Sequence, residues 1–282
     1  MTRPCGAAQQ STLLADYIEL GHCPTCRVID LHGHYGPWPG IYLPNANEQA
    51  MLMTMDRCGI ETLVSSGHTA LADMRLGNPE MAAVARRHLG RWYAYLVCNP
   101  RYPVELAAQL ATYDDERAYV GLKLHPTMHD YPLDGPDYAP VYAFAAERRA
   151  MVLTHTWGHN ALCGPARLRA VAERYPEITF IAGHAFHGEF EAGIEVALSC
   201  PNVMLELTAA YSVRGAVELL VAGAGADRVL FGCDLPWFDP HYALGCVLFA
   251  HIDEQAQRAI LRENALKLLE TQLIRKGQHR HD

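Results

Sequence analysis

Asp30-Leu31-His32-Gly33-His34 ends the apolar run that begins at Val28, and its period decides how the whole chain is read. Two imidazoles at i and i+2 behind an apolar run have the period of a strand. On a strand alternate residues share a face, so Asp30, His32 and His34 are expected to project together. That supplies half of a metal site from one element.

Seven further β-rich runs repeat the pattern. The eight begin near residues 27, 60, 91, 118, 150, 178, 202 and 227, and helical patterns such as Pro140 to Arg149 and Pro165 to Tyr175 fill the gaps. Each interval has the length of one strand–helix unit with its loops, which predicts parallel strands joined by crossover helices. Eight such units make an α/β fold of one (β/α)8 TIM barrel, distorted, with an extra C-terminal helical stretch from Asp253 to Ile274 closing it; an open doubly wound sheet is the alternative. Residues 1–26 read as an N-terminal extension, 27–274 as the barrel, and 275–282, with His279 and His281, as a polar tail. In AYVGLKLH, residues 118–125, alternation turns Val120, Leu122 and Leu124 toward the helices and Gly121, Lys123 and His125 toward the barrel axis. In NVMLELT, residues 202–208, it turns Glu206 inward.

Composition narrows the function. A net charge of −8 and the lack of Lys/Arg clusters argue against nucleic acid as a partner. No apolar stretch reaches the ~20 residues of a membrane span, and the first ten residues carry no continuous apolar segment, so a soluble, cytoplasmic protein is expected. Nine cysteines, an odd number spread along apparent strands and helices, fit free thiols better than a disulfide framework. Cys23 and Cys26 lack a second pair with which to complete a four-ligand zinc site.

The histidines matter for where they fall. His32, His34, His68, Lys123, His125, His155, His184 and Asp234 all follow or end strands, which places them at the C-terminal mouth where barrel enzymes carry their active sites. His129, His159 and His187 come three or four residues later and are expected to ring the same mouth. Several imidazoles with one carboxylate bind a borderline divalent ion and leave a position for water, whose pKa the ion lowers. One buried histidine alone is better explained as a hydrogen-bonded core residue; five at matching strand ends are not.

The ordered set DLHGH, VLTHTWGH, FIAGHAF and VLFGCDLPW resembles the amidohydrolase superfamily. GLKLHP, FGCDLPW and ENALKLL resemble its amidohydrolase-related branch, which includes aminocarboxymuconate semialdehyde decarboxylase. The resemblance spans about residues 27 to 270. It implies one divalent metal, zinc first and Mn2+, Fe2+ or Co2+ as alternatives, held by His32, His34, His155 and Asp234, with Asp234 and His184 as the catalytic acid/base groups. If Lys123 is carboxylated it bridges a second metal; otherwise it is a buried ammonium paired with Glu206 or another acid. His125 is then a substrate or supporting residue. The expected activity is hydrolysis of a small carboxylate-bearing, amide or lactone substrate by metal hydroxide. Decarboxylation or hydration of a conjugated acid is the alternative, and a non-catalytic ligand-binding barrel the second. Arg101, with Tyr102, and Arg214 are candidates for gripping a carboxylate, and Trp157, Phe186 and Trp237 for walling a planar ligand. HYGPWPGIYLPNAN, residues 34–47, reads as a rigid flap or a packed covering loop. The remaining expectation is a homodimer.

Overall fold

The computed structural model describes residues 11–278. Eight strands, β1 (Val28–Tyr35), β2 (Ile60–Gly67), β3 (Trp92–Val97), β4 (Tyr119–Leu124), β5 (Met151–His155), β6 (Thr179–Gly183), β7 (Val203–Glu206) and β8 (Val229–Leu230), pair in parallel in chain order. Every strand begins within two residues of its expected start. The ring closes between β1 and the segment after β8: Leu31 N donates to Phe231 O (3.2 Å), Asp234 N to His32 O (2.7 Å) and His34 N to Leu235 O (2.7 Å). The fold is a (β/α)8 barrel, distorted at this seam, where β8 keeps regular pairing for two residues. No helix among the described residues is long and apolar enough to cross a membrane.

Apolar residues form two shells. The outer shell, between strands and helices, contains Leu122, Leu124, Val203, Leu205 and Leu207. The inner one fills the barrel with Ile29, Leu31, Val64, Tyr95, Met151, Leu153 and Ile181, and is plugged by Ala265 and Leu269 of the last helix, Asn264–Gln278. The site is therefore confined to the opposite end of the barrel.

Two of the register shifts change the face that alternation predicts. Val120 belongs to the inner shell instead of facing the helices, because a register shift between the Ala94 and Tyr95 pairings inserts one extra residue into β4. A second shift, between Asp30 and Gly33 on β1, separates Asp30 from the histidines. Asp30 instead takes the Cys233 thiol (2.7 Å) and the His32 N–H (2.9 Å) on its two oxygens, and so ties β1 to the chain after β8. The final helix runs four residues into the stretch read as a polar tail. Arg275 Nη1 donates to Arg149 O (2.7 Å) and Lys276 Nζ to Tyr119 O (2.5 Å), so these cations satisfy carbonyls at the floor of the barrel. His279 and His281 lie outside the described residues.

The β2 end of the mouth is set by a close helix contact. A Cβ on Gly77, in helix Met74–Arg87, would lie 1.9 Å from the main-chain N of Ala70 in helix His68–Ala72. Backbone cannot yield as a flexible side chain can, so Gly77→Ala must push the helices apart, and with them His68 and Leu71. Destabilisation of about 3 kcal/mol is expected, read as a lowered denaturation midpoint. Gly277→Ala, with nothing within 4 Å of the added carbon, should leave the midpoint unchanged or slightly raised.

Candidate metal centre and its cavity

His32 and His34 sit past the β1 bulge, where the strand has already switched faces, and both point into the barrel mouth. Asp234 reaches them from the turn after β8. One ligand atom from each of these three buried residues lies within 4.8 Å of the others. His34 Nε2 is 3.0 Å and His32 Nε2 3.7 Å from Asp234 Oδ1.

Each ring is held from behind. Glu206, at the end of β7, lies 2.7 Å from His32 Nδ1. A carboxylate there fixes the proton on Nδ1 and leaves Nε2 as a lone pair toward the cavity. Ser66 Oγ is 3.1 Å from His34 Nδ1 and holds that ring similarly. Burial, followed by the charge of Lys123, keeps His32 neutral well below the usual imidazole range. Asp234 behaves oppositely: burial acts to raise its pKa, but His34 and His32 hold the carboxyl well below the ordinary range, so it is an anion. Its Oδ1 is buried with no donor in hydrogen-bond geometry. Two imidazole nitrogens converging on an unsatisfied buried carboxylate oxygen make a donor set that fits a divalent cation.

Lys123, fully buried near the end of β4, donates from Nζ to His32 Nε2 at 2.8 Å. It contacts the nitrogen that a metal would use, so the two cations compete for one lone pair. Burial lowers its pKa to about 8, against the pull of Asp234 and Glu206. Glu206 spends its oxygens on His32, on Thr208 N (2.6 Å) and on His184 N (3.3 Å).

His155 lies outside the 4.8 Å group and stands beside His184, with ring centroids 4.7 Å apart. Burial first, then His184 and Lys123, keep it neutral. His125 stacks on it at 4.2 Å and takes the Met128 N–H on Nδ1 (3.4 Å), so as a neutral ring it carries its proton on Nε2 and is a donor. His184 Nδ1 is 3.2 Å from the Thr208 carbonyl, which fixes the proton there and leaves Nε2 as the basic nitrogen. Burial, then His32, lowers its pKa to about 4. His184 and Asp234 also have left-handed backbones, with φ of 71° and 62°. For non-glycine residues this strain persists only where surrounding contacts enforce it, as at functional turns.

These groups line one cavity of about 290 Å³, whose outer walls are Trp38, Trp157, Trp237 and Phe238. Trp38 comes from the flap read in residues 34–47. His68 lines it too, with both nitrogens engaged: Gly36 O is 2.6 Å from Nδ1, and Trp237 Nε1 donates to Nε2 at 2.8 Å. It is thereby a spacer between His34 and Trp237. Arg101 and Arg214 are not among the lining residues; Arg101 is turned onto His129 O (3.2 Å) and the Asp130 carboxylate (3.1 Å), and Arg214 is exposed. Phe186 is buried outside the cavity, and the second tier does not ring it. His129 is buried, His159 pairs with Glu189 (3.2 Å), and His187 stacks on Trp157 (4.5 Å). The pairing of Glu206 with His32, and the roles of Ser66 and Thr208, were not visible in sequence; the polar Ser65-Ser66 pair that follows Leu63-Val64 at the end of β2 was the available signal.

Glu206 has no room to move. A Cβ on Gly232 would come within 2.2 Å of its Oε1 and 2.7 Å of the His32 Cβ. Glu206→Gln keeps the shape but removes the charge that fixes the His32 tautomer, so metal affinity is expected to fall about 10- to 100-fold, measured by competition with a chromogenic chelator. Unchanged affinity would mean that Glu206 does not orient the ring.

The amidohydrolase family model matches residues 29–271. Among solved structures, the chain is similar to an uncharacterised TIM-barrel protein from Bordetella bronchiseptica (23% identity, TM-score 0.73, covering 89% of this chain and 99% of that one). It is also similar to 2,6-dihydroxybenzoate decarboxylase from Rhizobium (16% identity, TM-score 0.67, 86% and 98%). A third is 5-carboxyvanillate decarboxylase from Novosphingobium aromaticivorans, solved with manganese and 4-hydroxy-3-methoxy-5-nitrobenzoic acid (12% identity, TM-score 0.67, 87% and 96%). At these identities the likeness is one of fold. No curated protein matches. The family match over most of the chain, together with the ordered His-His-Asp cluster at the barrel mouth, makes this protein a member of the amidohydrolase family.

Proposed function

We propose that the protein is a metal-dependent hydrolase of small planar carbonyl compounds, an amide or lactone that is neutral or bears a single carboxylate. The observation that carries this is the juxtaposition of the His32, His34 and Asp234 donor set with His184, whose basic nitrogen is freed by the Thr208 carbonyl. A bound divalent ion, zinc first and manganese, iron or cobalt next, lowers the pKa of a water and polarises a carbonyl. Asp234 stays anionic and accepts a hydrogen bond from the attacking water. His184, neutral at pH 7, takes the proton at Nε2 and returns it to the leaving nitrogen or oxygen. His155 completes the imidazole wall, and His125 Nε2–H is the donor for a substrate oxygen. Four aromatic rings exclude water from the mouth and favour a flat substrate.

Charge limits the substrate. Lys123 is the sole Lys or Arg among the lining residues, and its ammonium rests on His32 Nε2, the nitrogen that a bound metal would take from it. Beyond the metal and Lys123, a substrate carboxylate would meet no cation among the lining residues.

Decarboxylation of an aromatic acid is the second reading, favoured by the same aromatic walls and by the similarity to two decarboxylases. The two separate on product analysis in oxygen-18 water with a panel of lactones, amides and hydroxybenzoates. The hydrolase reading expects label in the product acid and no CO2. Release of CO2 without labelled acid would overturn it. His184→Ala should lower kcat by about 10²–10⁴-fold while bound metal per chain stays unchanged.

A further inference from the structure

A second set of metal-type donors lies outside this cavity. Cys58 ends the helix Glu48–Cys58, whereas Asp239 and His241 stand at the start of the helix Pro240–Leu248. A thiol sulfur, a carboxylate oxygen and an imidazole nitrogen from these residues lie within 4.8 Å of one another. Remote in sequence, they meet because the two helices pack side by side.

The cluster is built as a site. The Cys58 thiol is 1% exposed, while the His241 and Asp239 side chains are 40% and 70% exposed, so a buried sulfur lies beneath two donors at a rim. All three line a separate cavity of about 610 Å³ beside the loop Ile41–Asn45. The Tyr17 hydroxyl donates to His241 O at 2.7 Å and anchors that residue from the N-terminal helix Thr12–Leu20. Asp239 caps its helix by accepting from His241 N at 2.9 Å through Oδ1, which engages one of its two oxygens.

We propose that Cys58, Asp239 and His241 form a second divalent-cation site of the zinc type, with three protein ligands and a fourth position open to solvent. A sulfur, nitrogen and oxygen set suits zinc or cobalt and does not suit magnesium or calcium. On binding, the thiol releases its proton to solvent and the ion holds the thiolate. Burial and Asp239 oppose that ionisation, and Arg57 and the His241 N–H favour it. Trp237 and Phe238 line both cavities. An ion here therefore ties the segment that carries Asp234 and the aromatic wall to the helix ending at Cys58.

Cobalt(II) titration of the full chain tests this, because the first site contains no sulfur, whereas the second gives thiolate-to-cobalt charge-transfer absorption that Cys58→Ser separates from the other free thiols. The band is expected in wild type and in His32→Ala/His34→Ala, and absent in Cys58→Ser. His241→Asn, at a half-exposed position that should not disturb folding, is expected to weaken the cobalt binding seen in that band by about tenfold or more. No thiolate band at saturating cobalt in folded wild type would overturn the proposal, as would a band retained in Cys58→Ser, which would place the ligand on another cysteine. If Cys58→Ser does not fold, His241→Asn decides, and unchanged affinity overturns the site.

Discussion

The buried carboxylate of Glu206 is the constraint on which the rest of the mouth depends. With no exposure to solvent, it satisfies its oxygens with the His32 ring, the Thr208 N–H and the His184 N–H. Burial raises its pKa above the ordinary carboxylate range, against the opposing charge of His184 and the Thr208 and His184 hydrogen bonds. Removing the group would leave buried donors unpaired at about 1–3 kcal/mol each. One side chain thereby sets the His32 tautomer, turns the Nε2 lone pair into the cavity, where Lys123 takes it, and fixes the turn that carries His184. Lys123 then finds its partner in His32 because Glu206 is already engaged.

The seam between β1 and the chain after β8 supplies the other half. Metal-type donors fall on both sides of it, His32 and His34 on one and Asp234 on the other, joined by main-chain hydrogen bonds that run directly through these residues. Donor spacing is consequently a property of barrel closure. The left-handed backbones of His184 and Asp234 place both groups over the axis, a direction that a strand continuing straight would not give. Asp30 and the Cys233 thiol lock the same seam from the helix-facing side.

The fold was legible in the sequence because its signals are local and periodic. Apolar runs recur at the length of a strand–helix unit, and each strand began within two residues of its run. The strand-end histidines were legible for the same reason, since topology alone puts them at one face. Alternation misled at Asp30 and Val120, where one-residue register shifts exchange faces; a bulge depends on pairing with a neighbouring strand, which no single segment encodes. Arg101 was attractive by residue type, yet its orientation depends on a carboxylate in another loop, Asp130. Glu206 was correctly turned inward, but its partner required knowing which side chains meet across the barrel. Arg275 and Lys276 fell within the stretch read as a polar tail because their acceptors are carbonyls well over a hundred residues away.

The central claim is that His32, His34 and Asp234 together hold a divalent ion. Anomalous diffraction at the zinc edge, from crystals grown in zinc, tests it most directly because it locates each ion separately. The account predicts a peak bonded at about 2.0–2.2 Å to His32 Nε2, His34 Nε2 and Asp234 Oδ1, with Lys123 displaced from His32. A well-ordered cavity with no anomalous peak at those three atoms, and Lys123 still on His32, would contradict it.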